Sequence, residues 1–438
     1  MEAKTKLTIL LISPKGDIFS RSGDFETYAR GSREMQTVFH FFSGLGLGLT
    51  TIAALTPPEH TVRIIDENQE PIDYDVPCDI VGITGMTQQA YRAYEIAEAF
   101  KRQNRYVVMG GIHATCAPED AQQHVDTLFI GEAENTWPQF IEDFLGGKPA
   151  PLYDQKEFPA IDMSKIPIPR FDLVAKYDYP VVWIQSTRGC PHDCEFCAAS
   201  KIYGRKYKRK QVDQVIAEIE EVKKHWKFAQ IGFADDNMFS NKSYSRQLID
   251  RFQNMNFSWY AQSDIAIAEN TQLLRDLHAC GCRMLLIGFE SVIKKNLRNL
   301  DSQHWKEKMS DRYPQYIERI QKHGIGIYGT FILGLEEDTR NTVDRTVEFV
   351  QSNRLMGAQI TILTPFPGSR LRTRLERENR IVHSEWIWYT GWNPVIRHKN
   401  FTTAEFQQDL LRFYKSIYDP EKVKLRSAYF REIFKQLV

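Results

Sequence analysis

The 438-residue chain has no surplus of either charge: 56 Lys and Arg stand against 56 Asp and Glu. That balance gives no electrostatic footprint for nucleic acid, so no nucleic-acid partner is expected. Met1–Leu11 lacks a secretory signal, because its apolar run is too short and has no cleavage-site flank. No transmembrane segment is expected either. Residues 35–58 carry no Asp, Glu, Lys or Arg, but Gln36, Ser43, three glycines and Thr50–Thr51 dilute them. A spanning helix wants about 20 predominantly apolar residues. A buried helix from near Gly46 to Pro57–Pro58 is the first reading, and contact with lipid or a lipid-like substrate the second. Cysteines are few, seven in all with three grouped, which fits a reducing compartment, the cytoplasm, and not a disulfide scaffold. A G-x-G-x-x-G after the first strand is missing, and with it the dinucleotide fingerprint.

What is present reads as a globular chain of two or three domains, 42% hydrophobic and 26% charged. In residues 1–148, Leu7–Ser13, Val62–Asp66, Ile80–Thr84, Tyr106–Met109 and Leu128–Ile130 read as strands. They predict a Rossmann-like, doubly wound sheet with its ligand crevice at the strands' carboxyl ends. Residues 149–180 are rich in proline and predict an extended connector. Residues 181–370 repeat strand then helix six times, from Val181–Ser186 to Ala358–Leu363. The fold class is α/β, with a partial (β/α)6 barrel whose active site lies at its C-terminal face. Residues 371–438 are helical and aromatic, with Phe406, Leu410 and Phe413 on one face. The plain reading is a helical domain packed on the barrel. The sharper one has Trp386–Trp392 lid the site and shape a pocket for a hydrophobic or ring-bearing small molecule.

One stretch organises the rest. Cys190, Cys194 and Cys197 are spaced C-x3-C-x2-C just after the first barrel strand. Three thiolates are one fewer than close a cubane iron–sulfur cluster, which leaves one iron open. A zinc site is the alternative, with Cys280 and Cys282 as a poor second pair. Lys206, Lys208, Arg209 and Lys210 read as a solvated basic face.

With Phe196 before the last cysteine and Arg188–Gly189 ahead of the first, the stretch resembles the radical S-adenosylmethionine (SAM) superfamily. That resemblance implies a [4Fe-4S] cluster on the three cysteines and SAM on its open iron. It also implies SAM contacts from Phe196, Asp235, Asp236, Gln262, Glu290 and Ile332. Gly82–Phe100, Val107–Thr115 and Gly131–Trp137, in that order, resemble the cobalamin-binding domain at the front of one subfamily. By that analogy Thr84, Gly110, Gly111 and His113 line the cobalamin pocket, with Gly131 and Glu132 at its rim. The D-x-H-x-x-G signature is missing and the loop 13–23 has no histidine, so no side chain is assigned to cobalt. The implied activity is reductive cleavage of SAM to a 5′-deoxyadenosyl radical and methylation of an unactivated carbon. The electron comes from a donor such as a flavodoxin or ferredoxin. The alternatives are a non-methylating cyclase or rearrangement enzyme with the same cofactors, and a zinc-stabilised binding protein.

Overall fold

The computed structural model describes residues 5–16, 22–41 and 44–437; part of the loop 13–23 therefore lies outside the described residues. Two parallel six-stranded sheets carry the fold. The first contains β1 (Thr8–Ser13), β2 (Thr61–Asp66), β3 (Ile80–Thr84), β4 (Tyr106–Gly110), β5 (Thr127–Ile130) and β6 (Leu152–Asp154). Their order is β2-β1-β3-β4-β5-β6, every pair parallel. Near-continuous apolar strands such as TILLIS are what a sheet covered on both faces requires. The order reverses between β1 and β3, and ligands bind outside the carboxyl ends at such a switch point.

Five strands were expected here, and the sixth comes from the proline-rich stretch. Tyr153 of β6 is buried, its ring 5.5 Å from Phe129, and its hydroxyl donates to Asp143. The carboxyl-terminal end of that stretch is pinned to both units. Tyr179 donates to Asp66 of the first sheet, and Trp226 of the second unit donates to the Tyr177 carbonyl.

The second sheet begins with β7 (Val181–Ile184). A small antiparallel pair follows, β8 (Thr187–Arg188) with β9 (Lys208–Arg209). Then come β10 (Gln230–Phe233), β11 (Trp259–Ser263), β12 (Cys282–Glu290), β13 (Gly326–Leu333) and β14 (Gly357–Ile362). The large strands pair in chain order from β7 to β14, all parallel, and among the described residues β7 and β14 are edges. This is the expected six-stranded partial barrel. Side chains alternate across it. Outward positions Ala261, Leu285, Phe331 and Ile360 are buried under helices, whereas inward Trp183, Gln262, Leu286, Thr330, Gln359 and Thr361 are only half-buried. The barrel therefore has an accessible lumen, floored by buried Tyr260, Met284 and Tyr328.

The gap between β14 and β7 is closed from both ends of the chain. Helix Gly23–Gly31 packs on helix Thr403–Ile417 and on helix Arg33–Phe41. Phe25 lies 5.4 Å from both Trp392 and Tyr414, and the Tyr414 hydroxyl bridges the Ile360 N–H and carbonyl on β14. On the other side, Gly44 lies so close to β7 that a Cβ there would fall 2.6 Å from the Val181 oxygen. Val38 packs against the lumen floor. The uncharged stretch forms helix Gly48–Leu55 with Leu49, Thr50 and Ala53 buried, close to the buried helix expected. Among the described residues no helix is long and apolar enough to cross a membrane.

Candidate functional site

The thiol loop is built by its base. β8 and β9 pinch residues 189–207 into a loop, and Gly189 at their junction has φ +92. A Cβ there would stand 2.5 Å from the Lys206 carbonyl, so the Arg-Gly lead-in is a backbone requirement. The loop is then tied to the segments that follow β12 and β14. Glu195 N–H donates to the Leu300 carbonyl, Ser302 N–H to Asp193, and Leu371 N–H to the Glu195 carbonyl. Arg374 Nε donates to Glu195 Oε1 at 2.7 Å. Phe196, expected against SAM, lines a small cavity with Leu300, Leu335, Leu363 and Leu371, anchoring the loop's apolar side.

Cys190, Cys194 and Cys197 are all unpaired and half-buried. Burial raises the pKa of each thiol, and Cys194 is pushed up to about 12. The charge of Cys197 acts on both other thiols, so the three share one electrostatic pocket. Among the described residues no three Cys, His, Asp or Glu side chains are gathered as tightly as a bound metal requires. The donor set nonetheless suits a cluster, since a cation alone would turn these buried thiols into thiolates. Cys280 and Cys282 are buried at the amino end of β12. Glu290 at its carboxyl end acts on Cys194. Nine strand residues, about 26 Å by the usual rise, separate them from the thiol loop, which removes the second pair a zinc site would use.

The two adjacent aspartates separate sharply. Asp235 was expected at SAM, but it is fully buried and its oxygens accept from Ser186 N–H, Ser186 Oγ and Thr187 Oγ1. It secures the strand exit instead. Asp236 lies beside Cys190 and Cys197, its pKa raised by burial, and its buried Oδ2 has no partner among the described residues. An orphaned carboxylate oxygen there fits an ammonium ligand such as the amino group of SAM. Glu290 takes a left-handed φ of +64 at a bulge in β12 and accepts from Lys306 at 2.8 Å. Burial is the largest effect on Lys306 and opposes its charge, but the charges of Glu290 and Cys194 and the hydrogen bond to Glu290 together outweigh it and raise the lysine's pKa. Lys306 escaped the sequence reading because it lies on a helix with no motif around it. Gln262 faces the lumen, while Ile332 is buried at its rim.

In the first sheet the strand-end loops knit together. The His113 N–H donates to the Gly85 carbonyl, and the Gly131 N–H to Thr115 Oγ1. Gly111 has φ +93, and a Cβ there would stand 2.4 Å from Thr84 Oγ1. Glycine backbone at Gly85, Gly110, Gly111 and Gly131 gives a surface that a flat ring can approach closely. His113 is fully buried. Its Nε2 lies 2.8 Å from the Tyr94 hydroxyl, its Nδ1 has no partner among the described residues, and its ring meets Trp386 edge-on. Trp386 also donates to Asp120, so the C-terminal segment is docked onto the first domain. Glu132, expected at the rim, pairs with Arg188 and Lys208. The basic run is solvated only in part: Lys206 and Arg209 are exposed, whereas Lys208 pairs with Glu132 and Lys210 is buried against Glu218. Helix Ile112–Cys116, at the end of β4, packs on helix Ala199–Ile202, which follows Cys197. The crevice edge of the sheet therefore faces the thiol edge of the barrel.

Comparisons with known proteins fall on these same two units. The family described as Radical SAM superfamily matches residues 184–350, and the B12 binding domain matches residues 43–141. The chain is 29% identical over 397 residues to bacteriochlorophyllide d C-8(2)-methyltransferase of Chlorobaculum tepidum, covering 87% of each. It is 26% identical to the hopanoid C-2 methylase of Rhodopseudomonas palustris, covering 77% of this chain and 65% of that protein. Its fold is similar to that of the radical SAM methyltransferase TsrM from Kitasatospora setae, solved with cobalamin and a [4Fe-4S] cluster. The TM-score is 0.66 at 14% identity, over 85% of this chain and 75% of that one.

Proposed function

We propose, from the premise that this chain belongs to the radical SAM superfamily and carries a B12-binding domain ahead of its barrel, that it methylates an unactivated carbon of a large, apolar, ring-bearing small molecule. The observation that carries this is the meeting of the two carboxyl edges, helix Ile112–Cys116 against helix Ala199–Ile202. When bound, the cluster supplies the electron that cleaves SAM to a 5′-deoxyadenosyl radical, and cobalamin supplies the methyl group.

The chain's own residues orient these groups. Cys190, Cys194 and Cys197 would hold the cluster. The open oxygen of Asp236 accepts from the SAM amino group, and the Glu290–Lys306 pair sits beside Cys194 at the rim. The backbone at Thr84–Gly85, Gly110–Gly111 and Gly131 would carry cobalamin, and no side chain is assigned to cobalt. The inward lumen positions carry no charge. A neutral, largely apolar substrate avoids stranding a buried ion there, and the names of the two relatives given above concern a bacteriochlorophyllide and a hopanoid. Electrons would come from a flavodoxin or ferredoxin, in the cytoplasm, where thiols stay reduced.

The test is anaerobic reconstitution with iron, sulfide and hydroxocobalamin, then incubation with methyl-labelled SAM and candidate ring substrates. Equal iron and sulfide, retained cobalamin and label in the product are expected. Deoxyadenosine with an unlabelled product would mark a cyclase or rearrangement enzyme instead. Serine at Cys190, Cys194 or Cys197 should abolish both sulfide retention and deoxyadenosine release; retention of both in any one variant would sink the reading.

A further inference from the structure

Arg188 is a buried cation with no role in either proposed cofactor site. It is 8% exposed. Its Nη1 donates to Glu132 Oε1 at 2.8 Å, its Nη2 reaches Glu134 Oε1 at 2.7 Å, and its Nε donates to Gln185 Oε1 at 2.9 Å. Its guanidinium carbon lies 5.5 Å from the centre of the Tyr203 ring. Lys208 completes the group by pairing with the second oxygen of Glu132. Two cations thus meet two carboxylates, and the quartet is neutral.

The placement of these partners gives the group its meaning. Glu132 and Glu134 follow β5 of the first sheet. Gln185 and Arg188 precede Cys190, Tyr203 ends the helix after Cys197, and Lys208 lies on β9. One guanidinium therefore ties both limbs of the thiol loop to one strand end of the other domain. Only a planar fork satisfies three acceptors on three sides; a lysine at this position keeps the charge and loses the geometry. Partial separation of the domains would leave buried charges unpaired, so the contact favours one discrete arrangement over a sliding one.

We propose that Arg188 is a positioning residue that locks the crevice edge of the first sheet onto the thiol loop. It sets the alignment across which a methyl group must pass between the two halves of the site. This rests on the methyltransferase reading above, and the lock can be tested apart from it.

Full-length Arg188→Lys, Arg188→Gln and Glu134→Gln are compared with wild type. Without cofactors, hydrogen–deuterium exchange is followed in peptides spanning 127–137, 185–190 and 203–209. About tenfold faster exchange is expected there in Arg188→Lys, with β12 and β13 unchanged. After loading with cluster and hydroxocobalamin, single-turnover mixtures with titanium(III) citrate and SAM are assayed for two products. Deoxyadenosine needs only the barrel half, whereas S-adenosylhomocysteine needs both halves. Deoxyadenosine within about twofold of wild type and S-adenosylhomocysteine down by about tenfold or more are expected, since small misplacements cost that much. Should Arg188→Gln not fold, the charge-retaining Arg188→Lys and the Glu134→Gln variant decide. Unchanged exchange, or two products that fall in parallel, overturns the lock. Wild type that retains no cobalamin or sulfide overturns the functional reading, and the exchange comparison still decides the lock.

Discussion

Gly111 shows at the scale of one residue how the first sheet's crevice is made. Its φ of +93 disfavours any side chain, and a Cβ would in addition meet Thr84 Oγ1 at 2.4 Å and Gly85 N at 3.3 Å. Gly147 has φ +72 with nothing near a would-be Cβ. Gly147→Ala should therefore cost about 1 kcal/mol from backbone strain alone, and Gly111→Ala about 3 kcal/mol from strain plus displacement of the Thr84 loop. Urea unfolding of the cofactor-free protein measures the difference, and Gly111→Ala should also retain less cobalamin. Equal costs for the two would show that the loop yields freely. Glycines, cysteines and strand-end acids are legible in a sequence because local spacing marks them. Which of two adjacent acids faces a ligand is not. Asp235 and Asp236 differ in their partners, Ser186 and Thr187 against none among the described residues for Asp236 Oδ2. The Arg-Gly lead-in marks Arg188 in the sequence, but its partners, like Lys306 and its own, were not legible, since the carboxylates lie 56 and 16 residues away in the chain.

Among the elements, the turn after β13 is set by one carboxylate. Asp338 Oδ2 accepts from the Gly334 and Leu335 N–H groups at 2.8 and 3.0 Å, and Oδ1 from Asn296. That turn presents Leu335, which shares a cavity lining with Phe196 of the thiol loop. Burial outweighs these donors and pushes the Asp338 pKa up to about 6. The folded value lies above the unfolded one of about 3.9, so the native state binds the proton more tightly. Its contribution to stability is full below about pH 4 and is lost as pH rises through about 6. Asp338→Asn does not titrate, so wild type should lose roughly 2 kcal/mol relative to it between about pH 4.5 and pH 7. Unfolding of both proteins at the two pH values measures this, and a constant gap would place the Asp338 pKa near its ordinary value. The barrel strands around this turn were legible because each βα unit repeats a local apolar pattern. β6 was not, because a three-residue strand among prolines has no period, and its pairing with β5 alone defines it.

For the molecule as a whole, the open side of the barrel is the feature with most at stake, because radical chemistry needs a site closed to water. The sharper reading of the C-terminal segment has Trp386–Trp392 lid the site; Trp392 lies at this flank beside Tyr414, whereas Trp386 docks on Asp120 of the first domain. The other half of the cover, helices Gly23–Gly31 and Arg33–Phe41, comes from nearly 400 residues earlier in the chain and leaves no local signature. Phe25 is the joint between the two ends. It is fully buried, its ring 5.4 Å from Trp392 and Tyr414, and Tyr28 on the same helix donates to the Tyr414 carbonyl. Phe25→Ala removes a large buried ring and should cost about 3–5 kcal/mol of that local packing. The thiol loop is anchored to Leu300, Ser302 and Leu371, and none of these bonds involves Phe25. Cluster content should therefore persist while the cover loosens. The expected outcome is faster hydrogen exchange across residues 23–41 and 403–417, with more deoxyadenosine formed per methylated product as the radical is quenched by solvent. Phe25→Leu, which refills most of the volume, should restore both towards wild type. Loss of iron together with loosening of the helices would instead mean that the flank supports the cluster and does not merely shelter it.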